Sequence, residues 1–108
     1  MQFKLVPSIF SFIILLAALG ISGCVTMEAP LQEYTLARAA FVAAKEVDGA
    51  RLASGYYHRA LENYSRAEVL YNERNFEQAK ELFIKSRIDF ERAENSAQAQ
   101  RKRSGEVL

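Results

Sequence analysis

From Tyr34 to Ala97 the apolar residues return at alternating intervals of three and four, the period of one face of an α-helix. Three runs carry the pattern. Tyr34, Ala37, Phe41 and Ala44 form the first, and Tyr57, Ala60, Tyr64, Ala67 and Tyr71 the second. Phe76, Ala79, Phe83, Ser86, Phe90, Ala93 and Ala97 form the third and longest. Along most of these runs aromatics recur every seventh residue with alanine or serine between them. Small side chains let helix axes approach and rings fill the space above and below, so the runs predict three amphipathic helices with interlocking faces. Leu36, Ala40, Ala43 and Val47 on the first helix, Leu61 and Leu70 on the second and Leu82 on the third are expected to widen the buried faces.

The breaks between runs have their own chemistry. Pro30 suits the first turn of a helix, where its missing N–H costs nothing. Asp48 interrupts the first stripe and Gly49 follows it, a C-cap signal. Ser54 and Gly55 offer an N-cap for the second helix, and Asn75 with Gln78 makes an N-cap and capping-box pair for the third. The reading is therefore all-α: a domain over 30–100 with helices over about 30–48, 55–73 and 76–100. Its short joints predict an antiparallel three-helix bundle. On the surface, Glu62 lies four before Arg66 and Glu81 four before Lys85, which predicts two ion pairs. Residues 101–108 lose the stripe and predict a flexible basic tail. Its Arg101, Lys102 and Arg103 suit the negative end of the helix dipole, and their charge would also suit lipid headgroups or a polyanionic polymer.

A different pattern precedes these helices. Leu5 to Leu19 is almost wholly apolar after a minimal positive start at Lys4. About fifteen residues give only about 23 Å of helix, short of a hydrocarbon core about 30 Å thick. Ile21, Ser22, Gly23 and Cys24 then read as a lipobox: an apolar residue, two slim ones that admit signal peptidase II, and the thiol that takes diacylglycerol as a thioether. The expectation is a cleaved lipoprotein signal peptide over 1–23 and a lipidated tether over 24–29. Each buried methylene of an acyl chain contributes about 0.8 kcal/mol, so several chains hold such a protein on a membrane. Val25 follows the cysteine. In the sorting rule for enterobacterial lipoproteins, which this site resembles, aspartate there retains the protein at the inner membrane, so outer-membrane placement facing the periplasm is expected.

Charge and cysteine content narrow the function classes. Of fourteen lysines and arginines Lys4 leaves with the signal, so thirteen bases balance thirteen acids, and nothing biases the mature chain toward nucleic acid. Cys24 is the sole cysteine, so no disulfide staples the domain. Catalysis needs groups that converge, and the chain offers one histidine, His58, with Leu61 and Glu62 at the next helical positions. Only Glu62 of that pair is able to coordinate a metal. No catalytic residue, metal or cofactor is expected, and Glu91 and Glu94 read as solvated.

The run Ala60, Tyr64, Ala67, Leu70, Tyr71, Asn75, Phe76, Ala79, Phe83, Ser86 resembles one tetratricopeptide-type helical hairpin, with small residues at the crossing and aromatics around them. Glu91 stands where such a repeat usually closes with proline. More widely, several features resemble the DUF4398 family of small bacterial envelope lipoproteins. They are the lipobox, Ala37, Ala44, Gly49, Ala50, Leu52, Ala53, the tyrosine-rich start of the second helix, and the turn through Asn75, Phe76 and Ala79. That family commonly begins its second helix with an alanine-proline pair, where this chain has Ser54 and Gly55. The resemblance implies location and fold, and no activity.

The function expected from all this is a structural or protein-interaction lipoprotein. It would be held on the membrane by lipid on Cys24 and would bind another envelope protein or itself. Ile84 and Ile88 lie one turn apart on the side of the third helix away from its stripe and are the candidate interface. A cell-wall tether is the alternative, although the chain ends in Leu108 rather than in a lysine that joins peptidoglycan. A small-ligand binder or enzyme is the third reading.

Overall fold

The computed structural model describes residues 6–19 and 27–105. Five helices and no strand occur among them: α1 Val6–Leu19, α2 Leu31–Glu46, α3 Gly49–Leu52, α4 Ser54–Asn72 and α5 Phe76–Ser104. Ile21, Ser22, Gly23 and Cys24, with Val25 after them, lie outside the described residues, as do 106–108 of the tail. The 14 residues of α1 make a helix about 21 Å long. Among the described residues no helix is long and apolar enough to cross a membrane.

Ring positions fix how the helices run. Phe83 of α5 meets Tyr34 of α2 at 4.8 Å between ring centres, and Phe90 meets Phe41 at 5.1 Å. Both numbers rise together, so α2 and α5 are parallel. Along α4 the order reverses, because Tyr57 meets Phe90 at 5.7 Å, Tyr64 meets Phe83 at 5.8 Å and Tyr71 meets Phe76 at 5.5 Å. Helix α5 packs along both α4 and α2, whereas α2 and α4 approach each other mainly through Tyr34, Phe41, Tyr57, Tyr64 and Tyr71. The small stripe residues explain why α5 sits so close. Ala37, Ala44, Ala60, Ala67, Ala79, Ser86, Ala93 and Ala97 are all 0% exposed. Ser86 buries its hydroxyl by donating to the carbonyl oxygen of Ala60 at 2.9 Å, which stitches α5 to the backbone of α4 at their crossing.

The joints differ in detail from the sequence reading. Helix α2 ends at Glu46, and Asp48 rather than Gly49 takes the left-handed conformation, with φ 61. Gly49 instead begins the added turn α3, where a Cβ would come within 2.7 Å of the Ala44 carbonyl oxygen. Its glycine serves close approach, not a positive φ. Ala53 occupies the N-cap of α4, so Ser54 is the first helical residue and caps nothing with its side chain. Asn75 does stand at the N-cap of α5 but makes no side-chain cap bond, so the capping box with Gln78 does not form. What closes this joint is backbone. Asn75 donates to Leu70 at 2.8 Å and Arg74 donates to Tyr71 at 3.1 Å, a Schellman pattern with Arg74 at φ 62 in the usual glycine position.

Helix α5 continues past residue 100, through Arg101, Lys102 and Arg103 to Ser104, and stops at Gly105 with φ 77. Those three cations therefore belong to the last helical turn rather than to a loose tail, because their charge complements the free carbonyls there.

Candidate interaction surface

The face of α5 opposite its buried stripe is built by the same periodicity that builds the core. Phe83 and Phe90 point inward, which turns Ile84 and Ile88 toward solvent at 37% exposure each. They share one side of the helix, as the spacing implies. Leu36 joins them, contrary to its expected place in the buried face: it is 41% exposed and, with Gln32, Glu33 and Arg87, lines a shallow cavity beside Ile84. Ala40 and Val47 on the same flank of α2 are buried. The flank is thus covered toward its C-terminal end and open at Leu36.

Charges frame this apolar ridge. Lys80 reaches Glu33 at 3.4 Å and ties α5 to α2 beside the cavity. Arg87 approaches Glu91 at 3.8 Å, the outer edge of ion-pair range, and its Nε is buried with no hydrogen-bond acceptor. Neither Glu81 with Lys85 nor Glu62 with Arg66 forms the expected pair among the described residues.

Behind the ridge lies a polar clamp that the spacing pattern did not reveal. Asp89, 7% exposed, accepts two hydrogen bonds from Arg59 of α4, from Nε at 2.8 Å and from Nη2 at 2.9 Å, with Arg92 at 3.4 Å. The Arg59 bonds hold the Asp89 carboxyl below the usual carboxylate range against the opposing effect of burial, and Asp89 in turn raises Arg59. Asp89 lies beside the stripe, next to Phe90 but not on the run itself, so the spacing gave no sign of its burial.

Two further polar contacts complete the interior. Tyr34 donates to Glu68 at 3.2 Å. Burial, helped by the neighbouring Tyr34 hydroxyl, pushes Tyr64 up to about 12. His58 is exposed and meets the Tyr57 ring edge-on at 5.7 Å. Among the described residues no three His, Cys, Asp or Glu side chains gather as a metal site. Glu91 is exposed and Glu94 accepts from Gln98 at 3.4 Å.

No curated protein and no solved structure matches the chain. A family does, described as Domain of unknown function (DUF4398), over residues 32–106. That span takes in α2 from its second residue and all of α3, α4 and α5, the helices whose rings interlock above, and so the chain belongs to the DUF4398 family.

Proposed function

We propose that this chain is an outer-membrane lipoprotein, held by acyl chains on Cys24 and facing the periplasm, and that it serves as a structural or protein-interaction module without catalysis. In this reading α2, α4 and α5 form a three-helix bundle linked through α3, and α4 with α5 is its tetratricopeptide-like hairpin. The single observation that carries the interaction role is the exposed apolar pair Ile84 and Ile88, on the side of α5 away from the core, with the exposed Leu36 of α2 beside Ile84. Ile21, Ser22, Gly23 and Cys24 support the anchor, together with an apolar helix too short for a permanent span.

Two measurements test the two halves. Metabolic labelling with an alkyne fatty acid should tag the chain, and Cys24→Ala should abolish the tag; an untagged, full-length precursor refutes the anchor. Ile84→Asp with Ile88→Asp should change the co-purifying proteins or the oligomeric mass. An unchanged pattern refutes the interface.

A further inference from the structure

We infer that the packed helices stand end-on on the bilayer that takes up the Cys24 lipid, with Met27 and Leu31 seated in the lipid interface and the basic end of α5 turned away from it. The inference rests on the lipid anchor of the reading above and adds the orientation of what that anchor holds.

The start of α2, the end of α4 and the start of α5 share one end of the fold, where Tyr34 meets Tyr71 at 5.5 Å and Tyr71 meets Phe76 at 5.5 Å. Leu31 at this end is 62% exposed, more than any other large apolar side chain among the described residues from Met27 onward. Met27 is exposed too, and with Pro30 and Leu31 it lines a shallow hollow that Lys80 borders from α5. The chain before them says what covers this end. Cys24 precedes Met27 by three residues, and three residues span at most about 11 Å even when fully extended. Acyl chains on Cys24 therefore keep Met27, and Leu31 shortly after it, at or beside the headgroup layer.

Charge decides the kind of contact. This end carries the carboxylates of Glu28, Glu33, Glu73 and Glu77 against the cations of Arg74 and Lys80, and Lys80 already holds Glu33 at 3.4 Å. A slightly acidic end gains nothing from anionic headgroups, so the contact is apolar, limited to Met27 and Leu31, and shallow. Lying on the side would instead press Glu81 and Glu91, each three residues from an exposed isoleucine of α5, into lipid. Because α5 runs parallel to α2, its 25 residues from Phe76 to Arg101 carry Arg101, Lys102 and Arg103 about 38 Å from the seated end. That is several screening lengths, of about 8 Å each, from the headgroups of the anchoring bilayer.

The chain has no tryptophan, so single substitutions each report one position. The test uses the lipidated chain purified from its own host and reconstituted in vesicles of phosphatidylcholine and phosphatidylethanolamine, with lipid brominated near the ester end of its acyl chains as quencher. Leu31→Trp and Met27→Trp should each lose emission to the brominated lipid and shift to the blue. Val42→Trp and Ile88→Trp, exposed positions about 17 and 18 Å beyond the starts of α2 and α5, should do neither. Adding phosphatidylglycerol should leave all four signals as they are. Quenching at Val42→Trp or Ile88→Trp equal to that at Leu31→Trp overturns the inference, as does quenching that needs phosphatidylglycerol. A chain that floats with the vesicles but leaves Met27→Trp and Leu31→Trp unquenched overturns the orientation and leaves the anchor standing. A chain that carries no lipid and does not float overturns both.

Discussion

Replacing Phe83 with alanine probes the packing that everything else leans on. The ring is 0% exposed and has Tyr34 at 4.8 Å, Tyr64 at 5.8 Å and Tyr71 at 6.4 Å, so all three packed helices contribute to its surroundings. Removing it forfeits the transfer free energy of a ring and leaves a cavity among the rings of Tyr34, Tyr64 and Tyr71. Phe→Ala changes of this kind cost about 3–5 kcal/mol. The helical part from Leu31 to Gly105 has about 75 residues, which at about 0.05–0.15 kcal/mol per residue gives a total of roughly 4–11 kcal/mol. One side chain thus accounts for about a quarter of the stability at least, and at the low end for all of it. Urea melts followed by far-ultraviolet circular dichroism measure this, with Phe76→Ala as the comparison. Phe76 is only half-buried at the start of α5 and touches Tyr71 at 5.5 Å, so its loss should cost clearly less. A Phe83→Ala loss under about 1 kcal/mol, or one no larger than that of Phe76→Ala, would refute the placement of this ring at the centre of the core.

Asp89→Asn should destabilise the fold by about 1.5–3 kcal/mol at neutral pH, the range for hydrogen bonds to a charged group. Because the folded carboxyl is held below its unfolded value, its contribution is present above the ordinary carboxylate range, about 4, and is lost as pH falls through the folded value. Acid melts should therefore converge for wild type and variant, and parallel curves down to strong acid would count against the clamp. Tyr64 titrates the other way: its folded value is raised to about 12, so its contribution holds below the ordinary tyrosine range and fades as pH rises through the folded value. Ultraviolet titration of the tyrosines should show one late-ionising group that Tyr64→Phe removes. Gly49→Ala forces a Cβ against the Ala44 carbonyl oxygen and should cost about 1–3 kcal/mol in the same urea melts. Gly55→Ala, whose Cβ would meet nothing within 4 Å, should instead gain about 0.4–1 kcal/mol.

The core was legible because one rule generates it. Every alanine from Ala37 to Ala97 on the three runs is fully enclosed, while the stripe's outer rings, Tyr34, Phe41, Tyr71 and Phe76, are half-buried. The joints were less legible, since several chemistries solve the same problem. A left-handed residue is needed after α2 and after α4; Asp48 supplies the first where Gly49 was expected, and Arg74 supplies the second, for which no candidate was named. Gly49 was free to serve a different need, the tight passage under the Ala44 carbonyl. Helix α5 outran its stripe for an electrostatic reason: Arg101 to Arg103 favour a helix end that no longer has apolar contacts to make.

The candidate surface was legible only in its isoleucines, and the reason is the difference between stripe and flank. Ile84 and Ile88 sit on the side of α5 away from its stripe, and α2 approaches Ile84 at the hollow that it shares with Leu36. Leu36 and Ala40 occupy the same flank of α2, and which of them is covered depends on how α2 crosses its neighbours, a tertiary fact with no local signature. The same holds for the 30-residue separation of Arg59 from Asp89. This division also decides which experiments are informative. Because the core is assembled from rings on the inner faces, changes on the side of α5 away from its stripe leave its contacts in place. Ile84→Asp with Ile88→Asp therefore reports first on a partner, whereas any substitution on the inner stripe reports first on folding.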